Sequence, residues 1–288
     1  KLSKITFNDE LQYIGESSFT STAISELNLP DSVQYIGGLA FGFCSNLVDI
    51  NINKNIKLIG ERVFNKTLWY NNQSDGLIYK DDILLAYKGE KIFDDVVEVR
   101  EGTRIIAGKV FSNSYYTRIG LPNSLEYICR GAFYNCSSLE TINIPDNVEM
   151  IDTVAFKECR FLNSKIKITK AHVMASAFYE CENLTEVEFG EEVKFLGINA
   201  FYGCRQMKAI MCYAWNPPIC GENTFGEINK ETMPLLNGWQ HSLLGYHFFR
   251  QEVMEGGFVQ LIQNGYGPYI FDNPFAKAMR LFGAKDFS

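Results

Sequence analysis

Residues 142–162 read INIPDNVEMIDTVAFKECRFL, and the features of this stretch return along most of the chain. Ile142 and Ile144 form an apolar-x-apolar triplet ended by Pro145; Met150-Ile151 form a second apolar step, and Ala155-Phe156 precede Cys159 and Leu162. Alternation over three residues stopped by a proline describes a very short strand, because proline has no N–H to give to a ladder. Working outward, the phenylalanine recurs at Phe19, Phe41, Phe64, Phe111, Phe133, Phe156, Phe178 and Phe201, in steps of 22, 23, 47, 22, 23, 22 and 23 residues. With the step of 47 taken as two units, the period averages about 22.8 residues, the length of one coil in a stacked-repeat architecture.

The triplet recurs at Ile5/Phe7, Leu27/Leu29, Ile50/Ile52, Val97/Val99, Ile119/Leu121, Ile166/Ile168 and Val187/Phe189. The second step recurs as Tyr13-Ile14-Gly15, Tyr35-Ile36-Gly37, Leu58-Ile59-Gly60, Ile105-Ile106-Ala107, Tyr127-Ile128-Cys129 and Phe195-Leu196-Gly197, where the glycine supplies a turn. Cys44, Cys136, Cys159, Cys181 and Cys204 each stand three residues after their Phe. A unit this small cannot bury its own Phe, Ile and Cys, so the units must stack. At about 4.8 Å per strand, roughly nine coils make a stack about 40 Å long, with the Phe residues as its spine.

The pattern I-x-I-P-x-x-V-x-x-I-G-x-x-A-F-x-x-C-x-x-L resembles the BspA-type leucine-rich repeats of bacterial surface proteins and some protozoan parasites. The resemblance implies a leucine-rich-repeat right-handed coil with short parallel strands over residues 1–228, in about nine coils of 22–24 residues. An insertion over about 65–92 breaks the period. In it, Leu77–Tyr79 and Ile83–Tyr87 around Lys80-Asp81-Asp82 read as a β-hairpin, which is expected to project from the solenoid.

Past Phe225 the period ends. Leu236, Trp239, Leu243, Tyr246 and Val253 run at mostly helical spacing up to Gly256-Gly257; a second helix is signalled by Asp272 or Asn273 as cap, Pro274 at its first position and Gly283 beyond its end. Residues 229–288 are therefore expected to form a short α-helical C-terminal segment. Arg250-Gln251-Glu252-Val253 through Gln260, with Asn264-Gly265, is similar to the opening of a helical family of unknown function that includes a DNA-mimic protein. DNA mimicry needs a dense acidic face, and residues 233–288 carry four acids and four bases, so that activity is not carried over.

Composition excludes several classes of function. Net charge is −7, from 27 basic and 34 acidic residues, and no Lys/Arg run marks a nucleic-acid or membrane arm, so neither a nucleic-acid partner nor membrane insertion is expected. The chain begins at Lys1 without a methionine or a signal-like apolar segment, which reads as a mature form whose targeting information is missing. No nucleophile elbow, phosphate loop or zinc-helix motif occurs, and His172, His241 and His247 lack a shared face, so no catalytic, cofactor or metal residue is expected. There is no C-x-x-C. The five cysteines at one coil position read as a buried, reduced ladder, because free Cys packs as a small apolar side chain and stacked neighbours stand wider apart than a disulfide prefers. The state of Cys129, Cys212 and Cys220 stays open, a Cys212–Cys220 bridge included.

Binding is the natural use of a rigid solenoid. The outward strand positions include Asn28, Asn51, Asn143 and Glu188, although Asn beside a tight coil is also a structural residue and that plainer reading is favoured. The hairpin region, with Trp69, Tyr70 and Tyr79, is the other candidate contact, unless Trp69 packs on the coils beneath it. The expected protein is thus a non-enzymatic binder of a macromolecule. Family resemblance implies adhesion at the cell surface or after secretion, to a protein or surface glycan of a host or neighbouring bacterium. A cytoplasmic scaffold carrying a helical effector is the alternative, and a hydrolase of surface polymers a remote one.

Overall fold

The computed structural model describes residues 2–89, 95–214 and 218–226; the two expected C-terminal helices lie outside them. In chain order, the first stack of coils holds β1 (Tyr13–Ile14), β2 (Glu26–Asn28), β3 (Tyr35–Ile36), β4 (Asp49–Asn51) and β5 (Leu58–Ile59). An insert follows, made of the one-turn helix α1 (Leu68–Asn71) and the antiparallel strands β6 (Gly76–Lys80) and β7 (Ile83–Lys88). The second stack holds β8 (Val96–Glu98), β9 (Ile105–Ile106), β10 (Arg118–Gly120), β11 (Tyr127–Ile128), β12 (Met150–Ile151) and β13 (Lys165–Ile168). It continues with β14 (His172–Val173), β15 (Glu186–Phe189), β16 (Phe195–Leu196), β17 (Ala209–Cys212) and β18 (Ile219–Cys220).

Most coils have three sides. One carries the triplet strand, as in β2 and β4, whose pattern of one buried residue between two exposed ones follows the alternation of Glu26-Leu27-Asn28 and Asp49-Ile50-Asn51. The second side also forms a strand, where the sequence suggests only a step into a turn: Tyr13-Ile14 pairs in parallel with Tyr35-Ile36, and that pair with Leu58-Ile59. The glycine that follows is required by the close approach of the preceding coil, since a Cβ on Gly37 would lie 2.4 Å from the Glu16 nitrogen and one on Gly60 2.3 Å from that of Gly38. The third side is a run of turns around the spine Phe. Residues two before and two after that Phe take positive φ, as at Ser17 and Ser21 (56° and 60°) or Lys109 and Asn113 (57° and 56°).

The core is the spine and its flanks. Rings of consecutive coils stack face to face, Phe133 on Phe156 at 4.7 Å and Phe156 on Phe178 at 5.0 Å between centroids. Beside it, each ladder cysteine donates its thiol to the carbonyl of the preceding coil's Phe: Cys44 to Phe19, Cys136 to Phe111 and Cys159 to Phe133 at 3.1 Å, Cys181 to Phe156 at 3.2 Å and Cys204 to Phe178 at 3.3 Å. The ladder thus supplies hydrogen bonds as well as packing. Cys44, Cys136, Cys159 and Cys181 are buried and Cys204, nearest the end, is partly exposed. None of the eight cysteines forms a disulfide, and Cys212 and Cys220 are not bridged to each other.

The hairpin does not project. β7 pairs in parallel with β9, Ile83 opposite Ile105 and Leu84 opposite Ile106, and β6 lies outside β7, so both strands belong to the second stack's sheet. The physical reason lies in β7 itself, where Ile83, Leu84 and Leu85 are 6% exposed or less. An apolar run of that kind covers the open end of a stack at far lower free energy than it enters water. β5 does not pair with β7, and a seam therefore runs between the two stacks.

Candidate functional site

Two places on the described residues carry side chains available to a partner: the triplet-strand face and the seam. On the face, register places Asn28 beside Asn51 and Glu26 beside Asp49, all four exposed. The side chains of Asn28, Asn51 and Asn143 are exposed and make no hydrogen bond among the described residues. The structural asparagine is a different one: Asn53, 8% exposed, donates its amide to the carbonyls of Pro30 (2.6 Å) and Val33 (3.0 Å). The bracing expected of Asn28, Asn51 and Asn143 is supplied at this coil by Asn53. Asn53 follows the triplet and turns inward, whereas Asn28 and Asn51 sit within it and alternate outward.

Toward the other end the face carries charge pairs. Glu188, half-buried on β15, takes the Lys165 ammonium at 2.5 Å, and that carboxylate raises the lysine's pKa. Lys167 meets Asp146 at 3.1 Å, and the Thr169 hydroxyl bonds the same carboxylate, so hydroxyl and ammonium hold Asp146 below the usual carboxylate range. Glu98 lies across Gly120, where an added Cβ would fall 1.6 Å from its Oε2. Glu188 is thus tied to a neighbour, and the asparagine end is the part of this face with polar groups to spare.

At the seam, Trp69 packs edge-on against Phe64 with centroids 5.9 Å apart, and its backbone N–H donates to the Leu47 carbonyl at 2.8 Å. Tyr70 is half-buried on α1, and burial raises its pKa; Tyr79 accepts the Arg100 N–H at 3.1 Å and carries the Arg100 guanidinium over its ring at 4.4 Å. Trp69 and Tyr79 thus brace the insert against the coils, and Tyr70 lines the seam cavity, so the three do not form an exposed tip. Thr67 caps α1 by accepting the Tyr70 N–H, a signal legible in Thr67-Leu68-Trp69-Tyr70 but masked by the shortness of the helix.

Arg104 clasps the seam. It bonds Asp82 of the hairpin turn (2.7 Å) and the carbonyls of Ile56 (2.8 Å) and Lys54 (3.0 Å) in the first stack, with Glu126 at 3.6 Å in the second. Lys109 reaches Glu61 across the same junction at 2.9 Å, and the Gly108 N–H meets the Ile59 carbonyl at 2.9 Å. Between these contacts and α1 lies a cavity of about 420 Å³, with Val63, Phe64, Trp69, Tyr70, Leu85, Ala86, Tyr87 and Val110 in its lining. An aromatic pair missed in the sequence, Tyr13 stacked on Tyr35 at 4.4 Å, flanks a second opening of about 490 Å³ on the other side of the seam. Burial, with the Tyr13 hydroxyl beside it, pushes Tyr35 up to about 12.

Among the described residues no group of three or more His, Cys, Asp or Glu is placed to hold a metal ion, and no helix is long and apolar enough to cross a membrane. His172 lies exposed on β14.

A family model for the BspA type leucine rich repeat region matches residues 1–73 and 99–232 in six copies. The chain belongs to that family. In this BspA-type repeat protein the unmatched residues, 74–98, contain the hairpin. A model of DMP19-like proteins matches residues 235–288, and 59 residues are 46% identical to the DNA mimic protein DMP19 of Neisseria meningitidis serogroup B. That stretch is 20% of this chain and 36% of the relative, so the chain spans about a third of that protein. Solved structures similar to this chain include a leucine rich cell surface protein of Faecalibacterium prausnitzii, 23% identical, with 73% of this chain and 54% of that one covered at a TM-score of 0.46. The pneumococcal vaccine antigen PcpA is 21% identical, with 77% and 63% covered at a TM-score of 0.42. The chain spans little more than half of the first of these and under two thirds of the second.

Proposed function

We propose that this BspA-type repeat protein is a non-enzymatic binding protein of the cell surface or secreted space, that its partner is a protein or surface glycan of a host or neighbouring bacterium, and that its role is adhesion. The observation that carries this reading is the asparagine end of the strand face, where Asn28 and Asn51 stand in register with exposed, unspent amides on a rigid ladder. The strand ladder fixes the backbone beneath both amides, so binding has only the side-chain rotamers left to order. The test is direct binding of the whole chain to immobilised matrix proteins and bacterial surface glycans, with a double variant Asn28→Arg, Asn51→Arg. Loss of about tenfold or more in affinity is expected; unchanged binding by the variant removes this face from the reading.

A second reading rests on the lack of disulfides among the described cysteines. Reduced cysteines suit a cytoplasmic scaffold that displays the DMP19-like segment, since disulfides form and persist in oxidising compartments. Fractionation of the producing cell separates the two: recovery in the cytosol removes adhesion. DNA mimicry is not proposed for that segment, because its acids and bases balance.

A further inference from the structure

The turn sides of consecutive coils are joined by a regular ladder. The N–H groups two before, at and two after each spine Phe donate to carbonyls of the next coil: Ser17, Phe19 and Ser21 to Gly38, Ala40 and Gly42 at 2.9, 2.8 and 2.9 Å. The same three rungs join Leu39, Phe41 and Phe43 to Glu61, Val63 and Asn65, and Gly131, Phe133 and Asn135 to Thr153, Ala155 and Lys157. At the seam the register calls for Arg62, Phe64 and Lys66 to donate to the 108–112 segment. Arg62 and Lys66 keep the left-handed φ of their equivalents, 53° and 59°, so their N–H groups aim along the axis as elsewhere. Among the described residues, however, these three N–H groups have no hydrogen-bond acceptor and the Gly108 and Val110 carbonyls have no donor. The cavity of about 420 Å³ is lined by Arg62 and Phe64 on the donor side and by Gly108 and Val110 on the acceptor side, with Lys66 next to the lining residue Asn65.

Spacing says what would occupy such a place in an unbroken stack. Tyr87 stands 23 residues after Phe64 and 24 before Phe111, and Ala86-Tyr87 is the Ala-aromatic dipeptide of the coil that the 47-residue step omits. β7 carries this dipeptide straight on against β6 instead of round the turn, with Ala86 opposite Ile78 and Tyr87 opposite Leu77. The adjoining Lys88 is held by the carbonyls of Asn71 (2.9 Å) and Gln73. The chain's own dipeptide is thus committed elsewhere.

We propose that the seam cavity is a peptide-binding slot, which takes a short segment of a partner polypeptide, with a small residue followed by an aromatic one, in place of the omitted coil. The segment's carbonyls accept from Arg62, Phe64 and Lys66, its N–H groups donate to Gly108 and Val110, and its ring continues the spine from Phe64. Main-chain bonds give the affinity and the two side chains the specificity, as when a strand is added to a sheet edge. This rests on the reading of the chain as a binder of proteins, but uses a different surface from the asparagine face.

The probe is the chain's own turn segment, the capped hexapeptide of residues 130–135, RGAFYN, titrated calorimetrically into the whole protein. Saturable one-to-one binding is expected. Replacing the peptide's Phe by Ala, or N-methylating its Gly and Phe nitrogens, should each weaken binding about tenfold or more, and neither depends on a protein variant. Ala86→Trp, checked for folding by circular dichroism, should abolish binding by filling the cavity, whereas Asn28→Arg, Asn51→Arg should leave it unchanged. Absence of saturable binding, equal binding of the N-methylated peptide, or equal binding by folded Ala86→Trp overturns the proposal. Failure of the face variant to affect partner binding, with peptide binding intact, instead removes only the face.

Discussion

The two stacks are built from one unit and differ in regularity. From Phe111 to Phe201 the spine rings sit 4.7–5.3 Å apart and within 9° of parallel, whereas Phe19, Phe41 and Phe64 sit 5.4 and 5.9 Å apart. Phe19 is also only half-buried, with Phe7 standing edge-on to it at 5.6 Å. The thiol row differs in the same sense. It runs unbroken from Cys136 to Cys204 in the second stack, started by the Ser114 hydroxyl 3.3 Å from Cys136. In the first stack it is the single Cys44, with the Thr22 hydroxyl at 3.1 Å. A coil gains order from having a like coil on both sides, and hydroxyls take the thiol position where a row begins.

The largest effect expected from this contrast is alkaline destabilisation of the second stack. Burial raises the thiols of Cys136, Cys159 and Cys181 and pushes Cys129 up to about 12. A folded pKa above the unfolded one means that the folded state keeps a proton the unfolded state releases. Stability is therefore complete below about pH 8.5 and falls as pH rises toward 12, by up to about 1.4 kcal/mol per pH unit for each thiol. Urea midpoints from pH 7.5 to 10 check this, and Cys159→Ala should flatten the slope; a midpoint independent of pH up to 10 would break the account.

Next comes the spine. Phe156→Ala should cost about 3–5 kcal/mol and Phe19→Ala clearly less, because the cavity left at Phe156 is closed on all sides; equal losses in denaturant titrations would mean that the stacks are energetically alike. Arg104→Ala should cost about 2 kcal/mol through its lost charged hydrogen bonds. It should also speed hydrogen exchange at Gly108 without affecting Phe133, and uniform acceleration at both would show that Arg104 is not specific to the seam. Smallest is the face, where Asn28→Ala with Asn51→Ala should shift stability by about 0.5 kcal/mol or less, as exposed, unbonded side chains do.

The repeat was legible because its period is written in residues that cannot be exposed, Phe and the triplet. The second strand of each coil was not, since two apolar residues before a glycine read equally as a step into a turn. The hairpin's strands were visible in Leu77–Tyr79 and Ile83–Tyr87, but their place was not: joining β9 is a long-range pairing, and only the buried run Ile83-Leu84-Leu85 hinted at it. The seam had one readable signal, the position of Ala86-Tyr87 within the step of 47. Outward alternation separates Asn51 from the inward Asn53, a difference that residue type alone does not carry.

The thiol row has a kinetic consequence. Each ladder thiol donates a hydrogen bond to a carbonyl of the coil before it, so it is protected only after that coil has closed. Until then the chain carries ordinary thiols, open to thiolate attack and oxidation. In an oxidising medium, folding of this protein is therefore a race between coil closure and sulfur chemistry. Molecules that lose the race carry a covalent record of which coil was last to form.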